Sequence, residues 1–249
     1  MDEEIFDDIN QIEETHWWYK ARRAIIFDWL TRVLASYKNP KILDIGCGTG
    51  FNISHLHQLG YDQVTGLDFS LDALEYCRSR QLKTLIRGDA ENLPICPAHY
   101  DIAITLDVIE HLRNDLHALS EIHRVLKPGG TLIIFVPAFQ FLWSLQDEVG
   151  HHQRRYSAQE LKEKVKQAGF ELKKLSYVNS LLFPVVWLGR TILRAFPQNF
   201  KITSESQMNP SWMNGILYRI FLAELPLLHV VDFPFGVSIL CVCRKSSAA

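Results

Sequence analysis

The amino-acid sequence predicts an α/β fold with a mostly parallel sheet. Over residues 41–136, short apolar segments alternate with segments of helical periodicity. Strands that alternate with helices in this way pair in parallel through right-handed crossovers. The chain has 249 residues, 47% of them apolar, which is enough to bury a sizeable core. We therefore expect a single domain over residues 1–249.

The predicted elements follow one another in order. "KILDIG" is a short apolar run that ends at a glycine, as is typical of a buried parallel strand. Further strands are predicted over "QVTGLDF", "LKTLIRGD", "YDIAITLDVI" and "TLIIFVPA". Helices are predicted after Gly50, over "LDALEYCRSR" with Ser70 as its N-cap, and over "LHALSEIHRVL", which the "KPGG" segment should stop.

The alternation of strand and helix stops after Pro137. "FQFLWSLQDEVGHHQRRYS" has no clear period and is predicted to be a loop. A helix at about 157–169, ended by Gly169, and a strand over "FELKKLSYVNS" follow. A mostly helical stretch then leads to a last strand over "GVSILCVCRK".

Composition argues against several classes of protein. A net charge of -2 does not favour a nucleic-acid partner. Five cysteines without framework spacing indicate reduced thiols and a cytoplasmic location. The acidic N-terminal segment has no apolar core of a secretion signal. No apolar run reaches the roughly twenty residues of a membrane span, and Pro184, Arg190 and Arg194 interrupt the longest, over 181–196.

Three glycines follow the first predicted strand. In "ILDIGCGTGFN", Gly46, Gly48 and Gly50 recur at every second position, which indicates a tight turn or a close approach of a ligand. Ligands of open parallel sheets bind at the carboxyl ends of the strands. The turn lacks the Lys-Ser/Thr of a phosphate loop, and its spacing differs from the GxGxxG of dinucleotide sites. Spacing alone leaves its ligand open.

Acidic residues at the next strand ends narrow the choice of ligand. Asp68 ends the second strand, where a carboxylate can accept hydrogen bonds from both hydroxyls of a ribose. Asp89 follows the third strand and is placed to accept a hydrogen bond from an adenine amino group. No cationic side chain is built into the glycine turn for a pyrophosphate. An adenosine with a neutral or cationic linker fits, and S-adenosyl-L-methionine is such a molecule.

Five motifs carry a family resemblance. "ILDIGCGTG", "GLDFS", "GDAENLP", "LDVIEHL" and "LKPGGTLIIFVP" resemble, in order and spacing, those of class I S-adenosylmethionine-dependent methyltransferases, most closely the small-molecule group that includes the ubiquinone-biosynthesis O-methyltransferases. The resemblance covers residues 40–140. It implies a Rossmann-like seven-stranded sheet, mostly parallel with an antiparallel last strand. The expected parts are N-terminal cap helices over 1–38, a cofactor-binding core over 39–180, a helical insertion over 181–232, and a last strand and tail over 233–249.

The resemblance also implies which residues hold the cofactor. The methionine part would lie on Asp44 and the glycine turn, the ribose on Asp68 with Phe69 beside it, and the adenine on Asp89 and Ala90. Leu106 would line the pocket floor. The N-terminal helix would cover the cofactor. The cofactor-binding residues expected in the glycine turn and on that helix are Gly46, Cys47, Gly48, Gly50, Trp18, Tyr19 and Arg22.

The methyl acceptor is only broadly constrained. The Asn/Asp-Pro-Pro-Tyr motif of amino-methyltransferases of DNA and the Pro-Cys of cytosine-5 enzymes are absent after the fourth strand, which argues against nucleic-acid bases. We expect a small or lipid-linked acceptor that is methylated at oxygen. Alternatives are N- or C-methylation of a metabolite, a cofactor-binding protein without turnover and, as a weaker third, an NAD-dependent oxidoreductase.

"LDVIEHL" contains a possible metal-binding group. Asp107, Glu110 and His111 share one face of a helical turn. Some ubiquinone O-methyltransferases have a Glu-x-x-Glu-His metal site at the matching place. Asp107 is one carbon shorter than the first Glu of that motif, so we favour a structural role and expect no metal. His111 stays a catalytic candidate, and Asp107 a candidate for binding the acceptor.

"GHHQRRYS" supplies the other catalytic candidates. His151 or His152 could act as general base. Arg154 and Arg155 could hold an acidic group of the acceptor, with Tyr156 beside them. The alternative is a surface loop that packs on the following helix.

The apolar stretch 181–232 allows three interpretations. It could be a packed or dimerising cap, a lid over a lipid-like acceptor, or an anchor at a membrane surface. The sequence therefore leaves a homodimer and a peripheral membrane contact open.

Overall fold

A seven-stranded sheet forms the centre of the protein. The structure is a computed structural model that describes residues 3–195 and 211–247. The strands are β1 (Ile42–Ile45), β2 (Val64–Asp68), β3 (Leu85–Arg87), β4 (Tyr100–Leu106), β5 (Leu126–Pro137), β6 (Phe170–Val178) and β7 (Ser238–Lys245). Their order is β3-β2-β1-β4-β5-β7-β6. β7 is antiparallel to both of its neighbours, and the other pairs are parallel. The predicted fold class is confirmed.

Ten α-helices surround this sheet within the described ranges. They are α1 (Glu3–Ile12), α2 (Trp17–Leu34), α3 (Phe51–Gln58), α4 (Leu71–Ser79), α5 (Asp115–Val125), α6 (Leu145–Val149), α7 (Ala158–Gln167), α8 (Phe183–Ala195), α9 (Ser211–Leu222) and α10 (Leu225–Leu228). Two single turns of 3₁₀ helix, Ile109–His111 and Gln140–Leu142, follow β4 and β5. Both therefore lie at the carboxyl edge of the sheet.

Apolar residues on both faces of the sheet explain why the central strands are nearly continuous hydrophobic runs. Ile42 and Ile104 pack on one face, with Ile25 of α2. Leu43 packs on the other face, with Ile122 of α5. A parallel sheet covered on both faces has this pattern, because neither face of its strands meets water.

The sequence placed the start of α4 and the end of α5 correctly, but the reason that it gave for the end of α5 was wrong. The Ser70 side chain accepts a hydrogen bond from the Ala73 amide and caps α4, as predicted. α5 ends at Val125, and "KPGG" lies within β5 rather than in a turn that stops the helix. Leu126 already pairs with Tyr100, so strand pairing begins before the proline.

The segment between Pro137 and the next helix is more ordered than the sequence predicts. It contains the 3₁₀ turn Gln140–Leu142 and the helix α6. A capping box holds the start of α6: the Asp147 carboxylate accepts from the Ser144 amide at 2.7 Å. A helix of five residues is too short to produce a visible hydrophobic period, so the loop prediction was wrong here.

The predicted helical stretch before the last strand is confirmed where the structure describes it, as α8, α9 and α10. Residues 196–210, which the prediction also covered, lie outside the described residues. Among the described helices, none is both long enough and apolar enough to cross a membrane.

Candidate functional site

The glycine turn after β1 is open on one side. Gly46, Gly48 and Gly50 have φ of +69°, +53° and +78°, which side chains of L-residues rarely adopt. A Cβ at Gly46 would collide with Val108, and one at Gly50 would lie 2.5 Å from Leu82 Cδ1. A Cβ at Gly48 would meet nothing within 4 Å. Two glycines therefore serve packing, and the third faces space that a ligand can enter.

Asp44, at the end of β1, is a buried carboxyl group that is not fully hydrogen-bonded by the described residues. It is 1% exposed, and Oδ2 has no hydrogen-bond partner among the described residues. Burial raises the pKa of Asp44 to about 7; the Arg22 guanidinium opposes this rise and the Asp68 carboxylate adds to it. A buried carboxylate that lacks a hydrogen-bond partner stabilises a cation that binds beside it. The ammonium of a methionine moiety is such a cation.

Asp68 has partners that fix its orientation. Its Oδ2 accepts from the Gly48 amide and its Oδ1 from the Ser70 amide, both at 2.9 Å. Each oxygen keeps a lone pair for another donor, so the carboxylate can still accept ribose hydroxyls. Burial raises the pKa of Asp68, although these backbone hydrogen bonds lower it in part. The residues at the ends of β1 and β2 therefore fit S-adenosylmethionine.

The residues expected near the adenine lie one strand further along. Phe69 is 71% exposed, and Ala90 is buried. Asp89 is exposed and its Oδ1 accepts from the Glu91 amide at 2.8 Å. β2 and β3 pair up to Asp68 and Arg87, so these residues follow adjacent strand ends. Contact of Asp89 and Ala90 with adenine remains a prediction, as does the pocket-floor role of Leu106, which is buried in the core.

Glu13, a buried acid between α1 and α2, is hydrogen-bonded to the glycine turn. Both carboxylate oxygens of Glu13 accept from Thr49 Oγ1, at 2.9 and 2.8 Å, and Oε1 pairs with the Arg80 guanidinium at 2.6 Å. Burial raises the pKa of Glu13, while Thr49 and Arg80 lower it. Sequence reasoning missed this contact because one acid in an acidic segment carries no local signal of its partner.

Arg22 connects the N-terminal helix to the end of β4. Its guanidinium lies 5.2 Å from the Trp18 ring and 5.3 Å from the Phe135 ring, and its Nη2 is 2.6 Å from Asp107 Oδ2. The sequence predicted Arg22 as a cofactor-binding residue, and in this structure its guanidinium pairs with Asp107. Trp18 also contacts Tyr19 edge-on at 5.0 Å. Contact of Trp18 and Tyr19 with the cofactor remains a prediction.

The turn after β4 places a neutral histidine beside a buried acid. Glu110 is fully buried, and neither carboxylate oxygen has a hydrogen-bond partner among the described residues. Burial, and after it the Asp107 charge, raises the pKa of Glu110 well above its usual value. Burial lowers the pKa of His111 to about 4. At neutral pH, His111 is therefore an uncharged imidazole.

His152 is brought to this turn and is held by an acid. Its ring lies 4.6 Å from the His111 ring, and its Nδ1 is 2.8 Å from Asp147 Oδ1. Asp147 is 0% exposed and also accepts from Arg155 Nε at 2.7 Å. Burial alone would raise the pKa of Asp147, but the hydrogen bonds from His152 and Arg155 hold it below its usual value. With Nδ1 engaged, Nε2 is the nitrogen of His152 that can take a proton.

One group of side chains in the described part of the chain has the spacing of a metal site. Glu110, His111 and His152 each offer a ligand atom within 4.8 Å of the others. This set differs from the one considered from the sequence, since Asp107 pairs with Arg22 and His152 replaces it. Asp147, which orients His152, was missed altogether. Asp147 and His152 lie only five residues apart, but α6 was not predicted.

The other candidates from "GHHQRRYS" have partners within the protein. His151 is exposed, with φ of +57°. Arg154 pairs with Asp115 at 3.0 Å. The fully buried Tyr156 donates its hydroxyl to Asp115 Oδ2 at 2.7 Å. Arg155 pairs with Asp147 and donates to the Ala138 carbonyl. Acceptor binding by Arg154, Arg155 and Tyr156 remains a prediction.

An open glycine turn beside acids at the ends of β1 and β2 fits a Rossmann-like site for an adenosine cofactor. Residues 43–134 match the family model described as a methyltransferase domain. The chain therefore contains a methyltransferase domain and is similar to S-adenosylmethionine-dependent methyltransferases, and S-adenosyl-L-methionine is the cofactor that this similarity implies.

Two relatives and one solved structure illustrate this similarity. A probable S-adenosylmethionine-dependent methyltransferase of Mycolicibacterium smegmatis is 29% identical over 165 residues, which cover 65% of this chain and 62% of the relative. A malonyl-[acyl-carrier protein] O-methyltransferase of Pseudescherichia vulneris is 28% identical, with 71% and 75% covered. A crystal structure of an S-adenosylmethionine-dependent methyltransferase from Thermotoga maritima has a TM-score of 0.60 at 20% identity and covers 97% of each chain. The chain thus spans about three fifths of the Mycolicibacterium relative.

Proposed function

We propose that the protein transfers the methyl group of S-adenosylmethionine to an oxygen atom of a small-molecule acceptor. The observation that carries this proposal is the Asp147–His152 pair, with Nδ1 and Oδ1 2.8 Å apart. It lies against the turn that follows β4, at the same carboxyl edge as the glycine turn. An oxygen acceptor needs a base to take its proton, and a histidine held by a buried carboxylate is such a base. The similarity to an O-methyltransferase of Pseudescherichia vulneris supports this assignment.

The chain's own residues divide the work between binding and proton transfer. When bound, S-adenosylmethionine supplies an electrophilic methyl group on a sulfonium. Asp44 would hold the methionine part and Asp68 the ribose, which aligns the methyl group. His152 Nε2 would take the proton of the acceptor hydroxyl as the methyl group is transferred, and Asp147 would stabilise the imidazolium that results.

Replacing His152 with alanine should lower turnover by roughly 10²- to 10⁴-fold, the usual contribution of a positioned general base. Binding of S-adenosylhomocysteine should stay unchanged, because His152 lies on the acceptor side. Turnover is measured as S-adenosylhomocysteine release with a panel of hydroxyl and carboxyl acceptors, and binding by calorimetry. His117→Ala, on the exposed side of α5, is the matched control. Wild-type turnover in His152→Ala would exclude this base.

The same assay separates the alternatives. Mass spectrometry of the product distinguishes an O-methyl group from N- or C-methylation. Calorimetric binding of S-adenosylmethionine without release of S-adenosylhomocysteine from any acceptor would instead support a binding protein without turnover.

A divalent ion is the second way in which this site could activate a hydroxyl, because Glu110, His111 and His152 have suitable spacing. We expect turnover to survive dialysis against EDTA, since proton transfer to His152 requires no ion. Turnover is compared before dialysis, after it, and after addition of Mg²⁺, Mn²⁺ or Zn²⁺. A loss that one of these ions restores would assign the activation to an ion on these three residues.

A further inference from the structure

α8 has an apolar face that the described part of the chain leaves uncovered. None of its residues is buried, which is unusual for a helix this rich in apolar side chains. Val185 is 68% exposed, Leu188 57% and Trp187 49%. Side chains of this size seldom lie together on a surface that meets only water. The face therefore calls for an apolar occupant.

This face continues beyond the helix. Leu181, which precedes α8, is 54% exposed, and its amide donates to the Glu224 carboxylate before α10. The ring of Phe183 lies 5.4 Å from that of Phe235, which is 44% exposed. We call the set Leu181, Val185, Trp187, Leu188, Ile192 and Phe235 the helical apolar face. It joins the start of α8 to the segment before β7.

The charges of the surrounding helices are of one sign. α8, α9 and α10 contain Arg190, Arg194 and Arg219 and no aspartate or glutamate. The whole chain has a net charge of -2, so this part differs in sign from the average. An apolar stripe with tryptophan and arginine but without acids is the composition of a helix that lies in the surface of an anionic bilayer.

We propose that the helical apolar face docks the protein on an anionic lipid bilayer. Leu188 and Val185 enter the boundary between headgroups and acyl chains, and Trp187 lies at the level of the headgroups. A second copy of the chain fits this face less well. A symmetric contact would bring the arginine-bearing helices of two copies together, and like charges across an interface are unfavourable.

The docked face would be connected to the proposed acceptor site. The guanidiniums of Arg190 and Arg194 donate to the carbonyls of Leu142 and Trp143. These residues lie just before α6, which carries Asp147. A bilayer against α8 would therefore lie close to the segment that positions His152.

Vesicle co-sedimentation of the full chain tests the proposal without need of an acceptor. The vesicles contain phosphatidylcholine with phosphatidylglycerol, or phosphatidylcholine alone. Leu188→Glu should weaken binding to the anionic vesicles about tenfold or more, because it replaces an inserted apolar side chain with an acid. Leu59→Glu, 48% exposed after α3, adds the same charge elsewhere and should bind like the wild type. Circular dichroism confirms that both variants are folded.

Each other outcome overturns the proposal. Absence of binding by the wild type, or equal binding by both variants, removes the bilayer as occupant of this face. Equal binding to both kinds of vesicle removes the role of charge. A dimer in sedimentation velocity that Leu188→Glu dissociates, without vesicle binding, would assign the face to a second copy.

Discussion

Asp44→Asn is expected to raise the free energy of unfolding above pH 7 and, in the same variant, to weaken binding of S-adenosylmethionine. Both effects have one cause. Asp44 is a buried ionisable group, and its Oδ2 has no hydrogen-bond partner among the described residues. The charge destabilises the free protein, and the ammonium of the cofactor would compensate it. A stabilising substitution that removes function is common at binding sites.

The direction of the pH dependence follows from the raised pKa of Asp44. Its pKa is about 7 in the folded protein, against 3.8 for an ordinary aspartate. Between these values the folded state binds more protons than the unfolded state, so stability falls as pH rises toward 7. About three pKa units correspond to about 4 kcal/mol at most. Asparagine carries no charge and escapes this loss, so the advantage of the variant is full above pH 7 and absent below about pH 4.

Urea unfolding at pH 5 and pH 8 measures this effect. Asp62→Asn, at an exposed position before β2, is the control and should change the free energy of unfolding by less than about 0.5 kcal/mol. Calorimetry with S-adenosylmethionine should show wild-type affinity that falls about tenfold per pH unit below 7, since protonation competes with the ammonium. A variant that is less stable than the wild type at pH 8, or that binds the cofactor equally well, would contradict the role of Asp44.

Asp147→Asn is expected to lower the free energy of unfolding by about 3–5 kcal/mol at neutral pH, the usual effect of breaking a buried ion pair. The Arg155 side chain is 5% exposed and would lose the charge that compensates its own. The pKa of Asp147 is held below its usual value, so the stability that the carboxylate contributes is present above about pH 4 and is lost as pH falls through the depressed pKa. The difference from wild type should therefore shrink only in strong acid.

A double variant shows whether the unpaired charge is the cause. Asp147→Asn with Arg155→Met removes both charges and should be more stable than Asp147→Asn alone. Glu148→Gln, the exposed neighbour of Asp147, is the matched control for urea unfolding. Turnover of Asp147→Asn should also fall, because His152 loses the acceptor of its Nδ1 proton. A single variant as stable as Glu148→Gln would show that the buried pair contributes nothing.

The extent to which the sequence predicted this protein differs between elements. The five strands up to Pro137 were found because a buried parallel strand is an apolar run, and the run is visible in the sequence. Ser70 was identified as an N-cap because capping involves residues three apart. α6 was missed, since five residues show no period and its capping box became recognisable only in the folded loop. Because α6 was not predicted, the contact between Asp147 and His152 was not predicted either.

The functional site likewise contains residues that the sequence predicted and residues that it did not. Gly48 and Asp68 were predicted through motifs that the chain carries in one short segment each, and the structure joins them by a hydrogen bond. Arg22 was predicted as a binding residue, but its partner in the structure, Asp107, lies 85 positions away along the chain. Nothing in the sequence predicted the contact between Glu13 and Thr49.

The sequence by itself determined the sheet, the glycine turn and the resemblance to methyltransferases, because these depend on the order of residue types over short distances. Only the tertiary structure decided which charges meet. It paired Arg22 with Asp107 and Asp147 with His152, and it left Glu110 buried without a hydrogen-bond partner among the described residues. The strength of such interactions depends on burial and on distance in space. Neither quantity can be read from spacing along the chain.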